Sequence, residues 1–352
     1  MKNHSQHNTN IDFLRVLLAI IVFISHIEQA TGIPLLGEFD SYAPFSFISY
    51  GAFSVTLFFI ISGFYSADTF IRKYQGIKDI PRIIINRLIR LYPMTWISEL
   101  IALILSVIAP RIRNVLTEDI NSFWNADLNI RYLVKNLVLL HYSGPPLLNP
   151  PLWTVAKEIT LAFSLPILLA VLFWIYNKNR IISRSLAVCL VVVFYCMAQH
   201  TAKVSFVYLF VLGVVLYMLR NSIYGCNARK LSMISLLGVV VMSIPIAGQY
   251  LPGFMWILGA GMLLVRFLNP EPISILKNTS SGVVRLIRNY GSRWSFAFYL
   301  VHFPCVLFWR FICTEHTALL YCSYTLLVLV SSLLLSILMM KAERLIRIVL
   351  NR

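Results

Sequence analysis

Between residues 13 and 340, apolar stretches long enough to cross a bilayer follow one another with no long polar block between them. Such a chain has few folds open to it, because hydrocarbon offers no hydrogen bonds and a spanning segment must satisfy its own backbone, as a helix does. The stretches lie near 13–30, 45–65, 93–110, 155–176, 184–199, 203–219, 231–248, 251–268, 294–313 and 318–340. They predict an all-α, polytopic integral membrane protein of about ten transmembrane helices, with residues 1–352 forming a single membrane domain. Charge content agrees: only 12% of residues are charged, against about 25% in soluble domains.

Loop charge sets the expected orientation. With a cytoplasmic N-terminus, 22 of the 30 Lys and Arg fall inside, six fall outside, and Arg15 and Arg310 lie within helices. Both termini of this multi-pass membrane protein are therefore expected in the cytoplasm. The net charge of +16 is scattered between spans rather than gathered in an arm, so topology explains it and nucleic acid is not an expected partner. No small-residue cleavage pattern follows the first stretch, which argues against a removable signal peptide. The six cysteines never form CxxC, so they imply no metal site and no disulfide scaffold.

Several ionisable residues interrupt these stretches, and such groups are costly in hydrocarbon unless they face the protein interior or a watery path. The first stretch, IDFLRVLLAIIVFISH, carries Arg15 and His26. Eleven residues at 100° each place them within about 20° of one helix face and some 16 Å apart along the axis. Snorkelling remains open for Arg15, and an interfacial structural role for His26.

The segment IPRIIINRLIRLYPMTW, read as an inner loop leading into the third span, holds Arg82, Arg87 and Arg90. Guanidinium forks match phosphate oxygens, so three at one mouth suit a polyphosphate, with an ordinary positive-inside excess as the alternative. In NPPLWTVAKEITLAFSLP, Glu158 follows Trp153 by five residues, about two turns into the fourth span from outside. There it needs a partner, and His26 at similar depth would make a pair suited to proton transfer. YGSRWSFAFYLVHFP places His302 near mid-membrane, with Arg310 eight residues later as a candidate for an anionic or sugar group, or for pairing with Glu315. The long outer segment 111–152 ends in SGPPLLNPPLW and reads as a rigid loop returning to the membrane.

Together these stretches resemble the acyltransferase-3 family of integral membrane acyltransferases over nearly the whole chain. Arg15, ten residues and His26 match the family's first-span pattern. SVTLFFIISGF matches GVxLFFxxSGF with Ser54 in place of the first glycine, and NRLIRLYP matches the basic motif with Asn86 where an arginine is often found. PLWTVAKE is similar to PLWSLSVE, keeping Trp153 and Glu158, and FAFYLVHFP to YSLYLxHxP, keeping His302. AERLIR echoes the closing E+PxR element loosely. Ending at Arg352, the chain looks like the stand-alone form without an appended soluble domain.

The resemblance implies transfer of an acyl group, most often acetyl, from cytoplasmic acyl-CoA to a hydroxyl of a lipid-linked or exported cell-surface glycan. On this reading acyl-CoA is a substrate, no cofactor is tightly bound, and the partners are the donor, the glycan and the bilayer. Arg82, Arg87 and Arg90 would take the CoA phosphates, and the pantetheine arm would enter beside Arg15. His26 would act as base or transient acyl carrier, supported by Glu158. Trp153, His302 and Arg310 would meet the acceptor. A transporter or flippase for a glycan or acylated intermediate is the alternative reading of the same buried charges.

Overall fold

The computed structural model describes residues 8–33, 51–74, 76–109, 124, 129–139, 148–201, 204–242, 253–278, 281–312 and 318–350. Every regular element among them is helical. In chain order these are α1 (Thr9–Thr31), α2 (Gly51–Lys73), α3 (Ile80–Ile108), α4 (Ile130–Val138), α5 (Leu152–Lys178) and α6 (Arg180–His200). There follow α7 (Val207–Met218), α8 (Arg220–Tyr224), α9 (Ala228–Met242), α10 (Phe254–Leu268), α11 (Gly282–Ile312) and α12 (Ala318–Leu350). Among the described residues, six helices are long and apolar enough to cross a membrane: α1, α2, α3, α5, α6 and α12. The other four expected stretches fall on α7, α9, α10 and α11.

Apolar side chains left exposed along these helices form stripes. On α5 they are Phe163, Ile167, Val171 and Trp174, and on α12 Leu326, Val330, Leu334 and Leu338. Spacings of three and four residues put each set on one face. Contiguous apolar surface of this kind mates with lipid or protein rather than with water.

The third expected span starts earlier than anticipated. The basic segment is not a loop before the membrane: it is the first part of α3, which continues through Pro93. Proline removes one backbone hydrogen bond, a loss that neighbours in a membrane protein can absorb. At 29 residues α3 measures about 43 Å, longer than the roughly 30 Å hydrocarbon layer, so its basic turns can lie at headgroup depth. Within the outer segment expected to be a loop, Ile130–Val138 forms α4, capped by the Asn129 side chain accepting from the Tyr132 amide. Residues 110–123, 125–128 and 140–147 lie outside the described set.

The chain divides into two compact units, with boundaries inside α1, α3, α5 and α11. Unit 1 comprises Met1–Leu18, Glu38–Ile83 and Ser164–Ser292. Its tightest packing is backbone to backbone. A Cβ on Gly63 of α2 would meet the Phe210 carbonyl of α7, and one on Gly213 of α7 would meet the Ile60 carbonyl of α2. α9 and α10 meet in the same manner at Gly238 and Gly259. Small residues allow this approach where the hydrophobic effect cannot drive helix association. Asparagines serve the helix ends: Asn8 donates to the carbonyls of Phe267 and Leu268, and Asn10 to those of Asn269 and Glu271. These satisfy carbonyls that a helix terminus leaves open.

Unit 2 comprises Ala19–Gly37, Ile84–Phe163 and Arg293–Arg352. Its core joins Val22 of α1, Met94 of α3, Leu152 and Ile159 of α5, Leu300 of α11 and Met339 of α12. Tyr92 and Trp96 of α3 donate to the carbonyls of Val138 and Leu137, tying down the end of α4.

The glycine contacts carry a prediction. Gly63→Ala and Gly213→Ala push a methyl group into main chain that cannot rotate away, and should lower stability by about 1–3 kcal/mol. Gly282→Ala, with nothing within 4 Å of its Cβ, should leave the melting temperature of the detergent-solubilised protein unchanged. Equal melting of all three variants would contradict the packing described.

Candidate active site

Unit 2 contains a stack of rings built from two helices. On α11, Trp294, Phe298 and His302 recur every fourth residue and so share one face. Trp294 stacks on Phe298 at 4.9 Å between centroids, and Phe298 on His302 at 6.2 Å. From α1, Phe23 packs against Phe298 at 5.6 Å, and His26 stacks on His302 at 5.2 Å with 29° between planes. Phe303 closes on His26 edge-on at 4.7 Å. The two histidines singled out in the sequence, 276 positions apart, thus form one stacked pair.

Hydrogen bonding sets the nitrogens. Nδ1 of His302 lies 2.7 Å from the Tyr299 carbonyl and 3.3 Å from that of Phe298. Carbonyls only accept, so Nδ1 carries the hydrogen and the neutral ring keeps its lone pair on Nε2. Nδ1 of His26 lies 2.9 Å from Gln29 Oε1. With that oxygen accepting, His26 also presents Nε2 as its basic nitrogen.

Around this pair the first turns of α5 are fastened to α11. Thr154 Oγ1 lies 3.0 Å from Tyr299 Oη, which also reaches the Pro151 carbonyl at 3.3 Å. Asn149 donates to the Leu300 carbonyl at 2.8 Å and to Ser98 Oγ at 3.3 Å. Glu158, half-buried on α5, lies within electrostatic reach of Tyr299 and of Arg87. Arg87 on the basic part of α3 and Glu158 on α5 are therefore neighbours in charge, a pairing the sequence reading did not foresee.

The remaining expected site residues are distributed as follows. Arg90 belongs to the same unit and is exposed, Trp153 is about a third exposed at the start of α5, and Arg310 is buried on α11. Its suggested partner Glu315 lies outside the described residues. Arg15 and Arg82 belong to unit 1. Arg82 is exposed. Arg15 donates to Ser292 Oγ at 2.5 Å and sits 5.2 Å over the Tyr65 ring. It is therefore in contact with protein groups. Among the described residues, no cluster of three or more His, Cys, Asp or Glu is arranged to hold a metal ion.

A protein-family model described as an acyltransferase domain matches residues 8–340 of the chain. The chain belongs to the acyltransferase-3 family. Compared with curated proteins and with solved structures, it matches none. It is accordingly a membrane acyltransferase, a multi-pass protein whose family match runs through α1 to α12. For this acyltransferase, sequence reasoning passed over Gln29, Asn149, Thr154 and Tyr299, the residues that orient the histidines and fasten α5 to α11. Only Asn149 carried a usable signal, because it stands directly before the prolines of the PLW motif.

If Arg87 and Glu158 share one electrostatic field, Arg87→Met and Glu158→Gln should not act independently. Each alone should destabilise the protein, and the double variant should fall short of the sum by about 0.5–3 kcal/mol, read from unfolding of the purified protein. Additivity to within about 0.5 kcal/mol would separate the two charges.

Proposed function

We propose that this acyltransferase moves an acetyl or similar acyl group from cytoplasmic acyl-CoA to a hydroxyl of a lipid-linked or exported cell-surface glycan. The observation that carries the reading is the stacked pair of His26 and His302, both offering Nε2, in the unit that also holds Glu158, Arg87 and Arg90. An imidazole so placed takes the proton from the acceptor hydroxyl as its oxygen attacks the thioester carbonyl. The carbon–sulfur bond breaks, and the imidazolium returns the proton to the departing CoA thiolate. His26 is assigned this base role, with transient acylation of its ring as the other route to the same products. Glu158 supports the imidazolium.

The donor's phosphates are assigned to Arg87 and Arg90, where guanidinium forks meet phosphate oxygens. Arg15 and Arg82, the other basic residues of the family pattern, are assigned to the donor as well. Trp153, His302 and Arg310 are assigned to the acceptor. We further propose ten membrane crossings with both termini in the cytoplasm, in the inner membrane. The loop charge asymmetry supports this, as does the coincidence of each of the ten expected stretches with a helix.

The test uses purified full-length protein in vesicles, given radiolabelled acetyl-CoA and glycan extracted from the cell envelope. Label should appear on the glycan, and His26→Ala should reduce its transfer by about 10²–10⁴-fold while leaving expression and thermal stability near wild type. Undiminished transfer by that variant would remove His26 from the chemistry. Movement of unlabelled glycan across the vesicle with no acylation would favour transport instead.

A further inference from the structure

The buried face of α3 contains polar groups that the mechanism above does not use. Thr95 and Ser98 are fully buried, and each hydroxyl donates to a carbonyl of its own helix, Leu91 and Thr95 respectively. Glu99, between them and Ala102, differs. The residue is only 4% exposed, and neither carboxylate oxygen has a hydrogen-bond partner among the described residues. Asn149, fully buried, spends its amide hydrogens on Leu300 and Ser98. Its Oδ1 likewise has no partner among the described residues.

These groups share one neighbourhood of unit 2. Ser98, directly before Glu99, is bonded to Asn149, and Ala102, three residues after Glu99, packs with Leu148, directly before Asn149. Glu99 is thus bracketed on the α3 face that packs along Leu148 and Asn149. The Asn149 bond to Leu300 carries the neighbourhood to α11, two residues short of His302, whose buried Nε2 also lacks a partner among the described residues.

The imbalance has a sign. With Glu99 ionised, its Oε1 and Oε2, Asn149 Oδ1 and neutral His302 Nε2 are all acceptors, and a protonated Glu99 would add a single O–H donor, leaving acceptors in excess. Leaving a buried acceptor unmet costs its full desolvation, and a buried carboxylate costs more than a neutral group. Among the described residues, what this region lacks is donors. A neutral polyhydroxyl molecule brings several O–H donors a few ångströms apart and no charge of its own, and carboxylates are strong acceptors for sugar-like hydroxyls. A metal ion fits less well, because the cluster holds one carboxylate and no second anionic ligand.

We propose that Glu99 and Asn149 form the acceptor-hydroxyl site of the acyltransferase, binding a neutral, sugar-class molecule through hydroxyls that donate to their oxygens. This rests on the transferase reading above for its place in the reaction, but the binding itself does not require catalysis. Glu99 positions the acceptor beside the histidine pair and takes no proton in the reaction.

The test is calorimetric titration of methyl hexopyranosides into the full-length protein in nanodiscs, for wild type, Glu99→Gln and Glu99→Leu. Wild type should bind at least one glycoside, and both variants should bind it tenfold or more weakly. Glu99→Gln should melt no lower than wild type, because its amide supplies a donor to Asn149 Oδ1. Acetyl-CoA binding should be the same in all three, since Glu99 lies outside the donor machinery. Glycoside binding that is absent from wild type, or equal in wild type and Glu99→Gln, overturns the proposal; the latter is the result expected if water alone serves these oxygens. Loss of binding in the variants without any acyl transfer by wild type would leave the acceptor site standing and sink the transferase chemistry instead.

Discussion

A polar side chain in a membrane-spanning helix has no water to turn to, so it must find its partner inside the protein or on a bound molecule. Most of what is specific here follows from that constraint. Asn8 and Asn10 spend their amides on the carbonyls that close α10, and Arg15 is met by Ser292 and the Tyr65 ring. Tyr299, Thr154 and Asn149 fasten the start of α5 to α11. Against this background of paired groups, the unmet oxygens of Glu99 stand out.

The second organising force is close packing without a hydrophobic drive. Where lipid is as apolar as the protein surface, helices gain from contact only if they come near enough for many dispersion contacts. The reciprocal approach of α2 and α7 at Gly63 and Gly213 does this in unit 1. It also gives the glycine in the SGF stretch of α2 a purpose within the fold, separate from any chemistry.

Sequence alone made the helices legible, because apolar length is a strong signal and every expected stretch falls on one. Arg15 and His26 both lie on one unbroken α1, as expected from the apolar run, and each residue is engaged by protein groups. The start of α3 was not legible, because Pro93 and a run of arginines look like the edge of a span from residue types alone. The pairing of His26 with His302, and the reach of Glu158 to Arg87, depend on which helices become neighbours. Local periodicity holds no such information. Glu99 was within reach: it is a lone acid in an apolar run, the same criterion that drew attention to Glu158, but no motif pointed to it.

The main chain of α11 has one further effect on His302. With Nδ1 committed to the carbonyls of Phe298 and Tyr299, the ring has a single nitrogen left for new bonds. Its regiochemistry is set by the backbone rather than by whatever reagent arrives. Alkylation or acylation of this imidazole while the helix is intact gives the tele-substituted product, and the pros isomer requires the turn to open.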